Sequence, residues 1–303
     1  MSNESSHRVW DSLRVWKQRA AQGLNIATRV STGRRVARAL AGTRLLPPNA
    51  LQFMHIDRRF TVHIGQDMGT FDYESTDADA VGRHLFWGGL TKWEVESWRE
   101  FIPMAAAARG FVDVGAFTGC YSLVAASVNP ALDALAFEPV PTVYKCLVRN
   151  VELNNLTHRV TTVPAAVSTV IGTSRFFIPD RPMPDTSFLE SSGRRPEEAG
   201  TWHEVATTTL AATLPHGFRV DLMKIDVEDA EGPIVEAMAD VLAEHRPAIF
   251  IEFLTTGTSE RAWDVLRDLG YRLFHLTPEG RIPVDYPRPD DVNLNFLCLP
   301  QGR

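Results

Sequence analysis

The chain has 303 residues, 44% of them hydrophobic and 22% charged, an ordinary composition for a soluble protein and enough length for one domain with decorations. No stretch reaches the about 18 consecutive apolar residues of a membrane-spanning helix, and residues 1–30 carry charge throughout, so no secretory signal is expected. The formal charge of −6 is unevenly spread: residues 1–46 hold nine basic and two acidic side chains, a net +7, leaving −13 on the rest, which speaks against nucleic acid as substrate.

In chain order, residues 1–46 read as a basic helical arm. Val9, Leu13, Trp16 and Ala20 lie near one helical face, suited to packing on the chain itself, on a second copy, or on an acidic surface. Leu45-Leu46-Pro47-Pro48 breaks the arm and opens a second segment, 47–108. Within it, alternation at Phe53, His55, Phe60, Val62 and Ile64 predicts a hairpin around Asp57-Arg58-Arg59. Thr91–Arg99 predicts a helix leading into the main domain, 109–303.

From Arg109 strands and helices alternate. Strands are predicted at 110–114, 133–137, 160–166, 220–226 and 248–253, with helices at 119–128, 140–153, 232–244 and 259–269. Polar strands at 173–178 and 204–208 flank 179–203, a Pro-, Gly-, Ser- and Arg-rich stretch whose length suits a lid over a site. Two last strands fall near 271–276 and 293–299, the second alternating and therefore antiparallel, finishing the sheet. The class is α/β: a mostly parallel, Rossmann-like sheet with helices on both faces. Cys120, Cys146 and Cys298 form no C-x-x-C, consistent with a reducing, cytoplasmic setting.

Ligands of such sheets sit beyond the carboxyl ends of the strands. The first strand ends in Asp113-Val114-Gly115-Ala116-Phe117-Thr118-Gly119, an acid followed by a glycine-bearing turn and a helix start. The second ends in Phe137-Glu138-Pro139, a carboxylate suited to the paired hydroxyls of a ribose. Together they suggest a nucleoside cofactor. A dinucleotide would want G-x-G-x-x-G, but Phe117 occupies the second glycine position. The fourth strand ends in Lys224-Ile225-Asp226-Val227-Glu228-Asp229-Ala230-Glu231 and the fifth in Glu252. Asp226 and Glu252 are candidates for a general base or for ligands of a divalent metal such as Mg. Helix capping and pairing with Lys224 is their bland alternative. His203, beside the long stretch, is a further candidate base.

In their order and spacing these segments resemble the FkbM family of S-adenosylmethionine-dependent methyltransferases, over roughly residues 90–275. The matching pieces are Phe111–Ser122, Ala136–Pro139, Asn150–Asn154, Ala165–Ser168, Lys224–Glu231 and Arg246–Glu252. Two positions depart: the family usually has Asn at Phe117 and Gly at Asp229. The resemblance implies a class I methyltransferase fold of seven strands. It implies that Asp113, Gly115, Ala116, Phe117, Gly119 and Tyr121 line S-adenosylmethionine, that Glu138 with Pro139 meets its ribose, and that Ala165 and Ala166 flank the adenine. Asp226, Glu252 and Lys224 then surround the transferred methyl. The implied substrate is a hydroxyl of a sugar or natural-product-like small molecule. A nicotinamide-dependent oxidoreductase, a nucleic-acid methyltransferase and a non-catalytic protein keeping the fold are the competing readings. The first lacks its glycine, and the second lacks an Asn/Asp-Pro-Pro-aromatic motif after strand four.

Overall fold

A computed structural model of the chain describes residues 54–56, 58–254, 256–288 and 294–302. The basic arm expected over 1–46 lies outside the described residues. The first strands, β1 (Arg59–His63) and β2 (Thr70–Glu74), form a hairpin. Its turn lies at 64–69, not at 57–59 as expected. Asp67 (φ +64) and Gly69 (φ +93) supply the left-handed backbone that a tight turn needs, and Ile64 N–H donates to the Gly69 carbonyl at 3.2 Å.

The chain divides into two compact units, Met1–Val62 with Tyr73–Trp93, and His63–Asp72 with Glu94–Arg303. In the first, helix α1 (Ala80–Gly88) contributes Phe86 and Trp87 to a core with Met54 and Ile56, against which Phe60 packs. Asp79 caps α1 through the Gly82 N–H (2.9 Å) and also accepts from Ser75 Oγ (2.8 Å).

The second unit opens with α2 (Val95–Ala107). It continues as β3 (Gly110–Val114), α3 (Cys120–Val128), β4 (Asp133–Phe137), α4 (Pro141–Leu153) and β5 (Val160–Val163). An excursion follows: β6 (Ala166–Val167), β7 (Gly172–Pro179), β8 (Phe188–Leu189), β9 (Gly200–Thr208) and α5 (Leu210–Thr213). The chain then returns through β10 (Leu222–Ile225), α6 (Glu231–Ala237), α7 (Ala239–His245), β11 (Ala248–Glu252), α8 (Thr256–Asp268), β12 (Tyr271–Thr277), β13 (Gly280–Val284) and β14 (Asn295–Pro300).

The main sheet runs β13-β12-β14-β11-β10-β3-β4-β5. The five strands from β11 to β5 are parallel, while β14 pairs antiparallel with both β11 and β12. In order along the chain this is the 3-2-1-4-5-7-6 arrangement of the class I methyltransferase fold, with β13 added at the edge. The expected seven strands are therefore eight, and the last strand lies inside the sheet rather than finishing it. The β12–β13 hairpin was missed because Arg281-Ile282-Pro283 carries little apolar alternation. Because the chain winds outward from β3 in both directions, right-handed crossovers send α3 and α4 to one face and α6 to α8 to the other.

The strand expected at 160–166 is two: β5 ends at Val163, and Ala166 already pairs with Thr207 in a second sheet, β6-β9-β7-β8. From 179–203 that sheet takes in only Pro179, Phe188–Leu189 and the start of β9, with a 3-10 turn at Glu190–Ser192; 180–187 and 193–199 are irregular, so most of the stretch is loop as expected. Phe177, Phe188 and Trp202 pack ring against ring within it. The helix expected at 232–244 breaks at Met238 into α6 and α7. Among the described residues no helix is long and apolar enough to cross a membrane.

Candidate active site

Parallel pairing aligns the strand ends that the sequence singled out: Asp113 stands opposite Lys224 and Ala136, and Ile225 opposite Ile251. The turn after β3 is built from strained or crowded positions. Gly115 has φ +83, and a Cβ there would lie 1.8 Å from the Asp226 carbonyl oxygen, so no other residue lets the first and fourth strand ends approach this closely. Gly119 (φ +90) starts α3, where a Cβ would meet Leu147 Cδ1 at 2.6 Å. Asn150 Nδ2 ties the turn down through the Thr118 carbonyl (3.0 Å). Phe117 is left-handed (φ +50), as is Asp229 (φ +71). Both family departures thus fall where Asn or Gly tolerates positive φ better than the residue present.

Two carboxylates brace this turn. Asp113 Oδ2 accepts the Ser122 hydroxyl at 2.7 Å, and burial pushes its carboxyl up to about 6. Glu138 accepts Phe117 N–H through Oε2 (3.1 Å) and Val140 N–H through Oε1 (2.7 Å). Burial outweighs those two donors and pushes Glu138 up to about 8. Pro139 is half-buried beside it. The Glu138 N–H bonds the Val163 carbonyl (3.1 Å), and Ala165 and Ala166 follow directly from there, buried. Tyr121 lies in the first turn of α3. Its ring stacks on Trp98 at 4.2 Å and its hydroxyl donates to Glu94.

At the neighbouring strand ends Asp226 and Glu252 converge as expected. Glu252 is hydrogen-bonded to Asp226, whose charge, with burial, holds the Glu252 carboxyl above the usual range. Lys224, 1% exposed, donates from Nζ to Asp226 Oδ2 at 3.2 Å. Burial works against its charge, but Asp226, Glu252 and Glu94 outweigh it and hold the ammonium above its ordinary range. Among the described residues no group of three or more His, Cys, Asp or Glu is placed to hold a metal ion. A divalent metal at Asp226 and Glu252 is therefore not supported; the positive charge beside Asp226 is the Lys224 ammonium.

Two site residues were not singled out by sequence. Arg194, from the excursion, pairs with Glu228 and lies 3.9 Å from Asp229. Its only signal was a basic residue in an otherwise unpatterned stretch. Glu94 precedes α2 in sequence and reaches the site through Tyr121. By contrast His203 is exposed on β9 and bonds Thr201 Oγ1 at 2.6 Å. Glu231 lies in the first turn of α6, as expected, with Oε1 accepting Asp229 N–H at 3.2 Å.

A class I methyltransferase sheet with acids on four consecutive strand ends defines the general type. The methyltransferase FkbM domain model matches residues 113–273, more than half the chain, and the chain belongs to that family. Methyltransferase sdnD of Sordaria araneosa is 31% identical over 160 residues, covering 44% of this chain and 61% of that protein, so the match spans less than two thirds of that relative. Among solved structures, methyltransferase FkbM from Methylobacillus flagellatus aligns at 13% identity and a TM-score of 0.40, over 63% of this chain and 43% of its own. Precorrin-6y C5,15-methyltransferase from Geobacter metallireducens aligns at 16% identity and a TM-score of 0.40, over 69% of this chain and 88% of its own. Membership stands on the family match, and it decides against the nicotinamide reading. The donor set fits the family's cofactor. Asp113, Glu138 and Asp226 are acids suited to a cationic sulfonium and to ribose hydroxyls, around a turn too tight for a side chain at Gly115.

Proposed function

We propose that the chain is an S-adenosylmethionine-dependent O-methyltransferase acting on a hydroxyl of a sugar or natural-product-like small molecule. The cofactor, when bound, supplies an electrophilic methyl group on a cationic sulfonium. The observation that carries the reading is the convergence of Asp226, Glu252 and Lys224 next to the Gly115 turn. An attacking hydroxyl becomes strongly acidic as its new C–O bond forms, so a carboxylate within reach suffices to take the proton. Asp226 fills that role. Its side chain is 32% exposed, whereas that of Lys224 is 2% exposed. Glu252, hydrogen-bonded to Asp226, holds that carboxylate in place. Lys224 fixes it from the other side. The remaining contribution is positioning of the acceptor, for which a preformed, rigid centre is required.

In this reading Glu138 takes the ribose hydroxyls and the Ala165–Ala166 backbone flanks the base. The β7–β9 excursion, latched by Arg194 to Glu228, covers the acceptor. Three free cysteines are compatible with a reducing, cytoplasmic setting. The test is incubation of the full chain with methyl-labelled S-adenosylmethionine and a panel of hydroxylated and amine-bearing small molecules, with the product bond assigned by NMR. Methyl–oxygen products support the proposal. Products methylated only at nitrogen or carbon overturn it.

A further inference from the structure

Glu94 has a sequence position that does not advertise it and a geometry that does. It occupies the position before the first turn of α2 and makes no capping bond there. Its backbone is left-handed (φ +47), a region that a non-glycine residue keeps only when its surroundings over-determine it. The carboxylate instead receives the Tyr121 hydroxyl through Oε2.

Tyr121 is held by several neighbours, and its hydroxyl also bonds the Ser97 side chain. One face stacks on Trp98, with centroids 4.2 Å apart, and Phe101 meets it edge-on at 4.8 Å. Lys224 Nζ lies 5.4 Å from its ring centroid, within the range at which an aromatic face attracts a cation. A lysine ammonium sits on a flexible four-carbon stem. In a buried site with carboxyls at Asp226, Glu252 and Glu94, something must decide which one it faces.

We propose that Glu94 is a positioning residue. By holding the Tyr121 hydroxyl it fixes the ring face against which the Lys224 ammonium lies, and so aims that ammonium at Asp226. The consequence for turnover rests on the reading of Asp226 as proton acceptor; the placement of Lys224 does not.

The sequence makes the test tractable, because Lys224 is one of four lysines, with Lys17, Lys92 and Lys145. In the full chain labelled with nitrogen-15 at lysine Nζ, the buried Lys224 ammonium gives a slowly exchanging resonance displaced by the Tyr121 ring current. Glu94→Gln keeps an oxygen that accepts from Tyr121, and the displaced resonance persists. Glu94→Leu removes the acceptor, and Tyr121→Phe removes the donor while keeping the ring. In both, the resonance moves toward those of exposed lysines and its exchange quickens. An unmoved Lys224 resonance in folded Glu94→Leu overturns the proposal. Should that variant fail to fold, an unmoved resonance in Tyr121→Phe overturns it equally. Where a panel compound turns over, Glu94→Leu lowers kcat about tenfold with little change in KM. Loss of the resonance shift together with full turnover in Asp226→Asn would leave the positioning role intact and refute the proposed chemistry instead.

Discussion

Gly115→Ala is the sharpest single perturbation, because two independent costs meet at one methyl group. Alanine at φ +83 adopts a left-handed backbone, costing about 1–2 kcal/mol. Its Cβ would also lie 1.8 Å from the Asp226 carbonyl oxygen, which is backbone and cannot swing aside as a side chain tip would. Relief requires the β3 and β10 ends to part, an overpacking cost of about 1–3 kcal/mol more. The sum, about 2–5 kcal/mol, lowers Tm by roughly 4–20 °C at about 2–4 °C per kcal/mol for a domain of this size. The strand ends that must part carry Asp226 and the cofactor turn, so affinity for S-adenosylhomocysteine falls with stability. Thermal melts by circular dichroism, paired with calorimetric titration, read both quantities. A Gly115→Ala chain that melts with the wild type and binds S-adenosylhomocysteine equally well would refute the close approach of these two strand ends.

Asp226→Asn is expected to cut turnover about 100-fold while S-adenosylhomocysteine affinity changes little, with product formation measured by mass spectrometry. Stability is expected to fall as pH rises from about 5 to 9. Glu138 titrates near 8 in the folded chain against an ordinary 4.5, so the folded state keeps a proton that the unfolded chain has lost in that window. Glu231 (about 8) and Glu228 (about 7) act in the same direction. Melts across pH should therefore show a falling Tm and a shallower fall in Glu138→Gln, whereas a rising Tm contradicts the sign. Arg194→Ala, which unlatches the excursion from Glu228, should raise KM for the acceptor more than it weakens S-adenosylhomocysteine binding. Equal loss of both would count against a cover over the acceptor.

The elements that carry the chemistry were legible because their signals are local. Apolar runs ending in an acid gave β3, β4, β10 and β11, and a glycine-bearing turn followed the first. The convergence of Asp226 and Glu252 followed from parallel strand spacing alone. What escaped depends on contacts distant in sequence. Glu94 and Tyr121 are 27 residues apart and Arg194 and Glu228 are 34 apart, and no periodicity links such pairs. Pro182, Pro184, Gly193 and Pro196 mark the irregular parts of the excursion, and what escaped there was the short strand Phe188–Leu189 and the early start of β9 at Gly200. The metal reading found no support. Two acids at adjacent strand ends can recruit a metal or pair with a lysine, and the sequence does not fix that the Lys224 side chain turns to Asp226.

In this reading the cofactor site is built from the Asp113–Gly119 turn and Glu138. Calorimetric titration of the full chain with S-adenosylhomocysteine and, separately, with NAD tests it most directly. Saturable S-adenosylhomocysteine binding, no NAD binding, and about tenfold weaker S-adenosylhomocysteine binding in Glu138→Ala, from lost ribose hydrogen bonds, are expected. Saturable NAD binding with none for S-adenosylhomocysteine would contradict it.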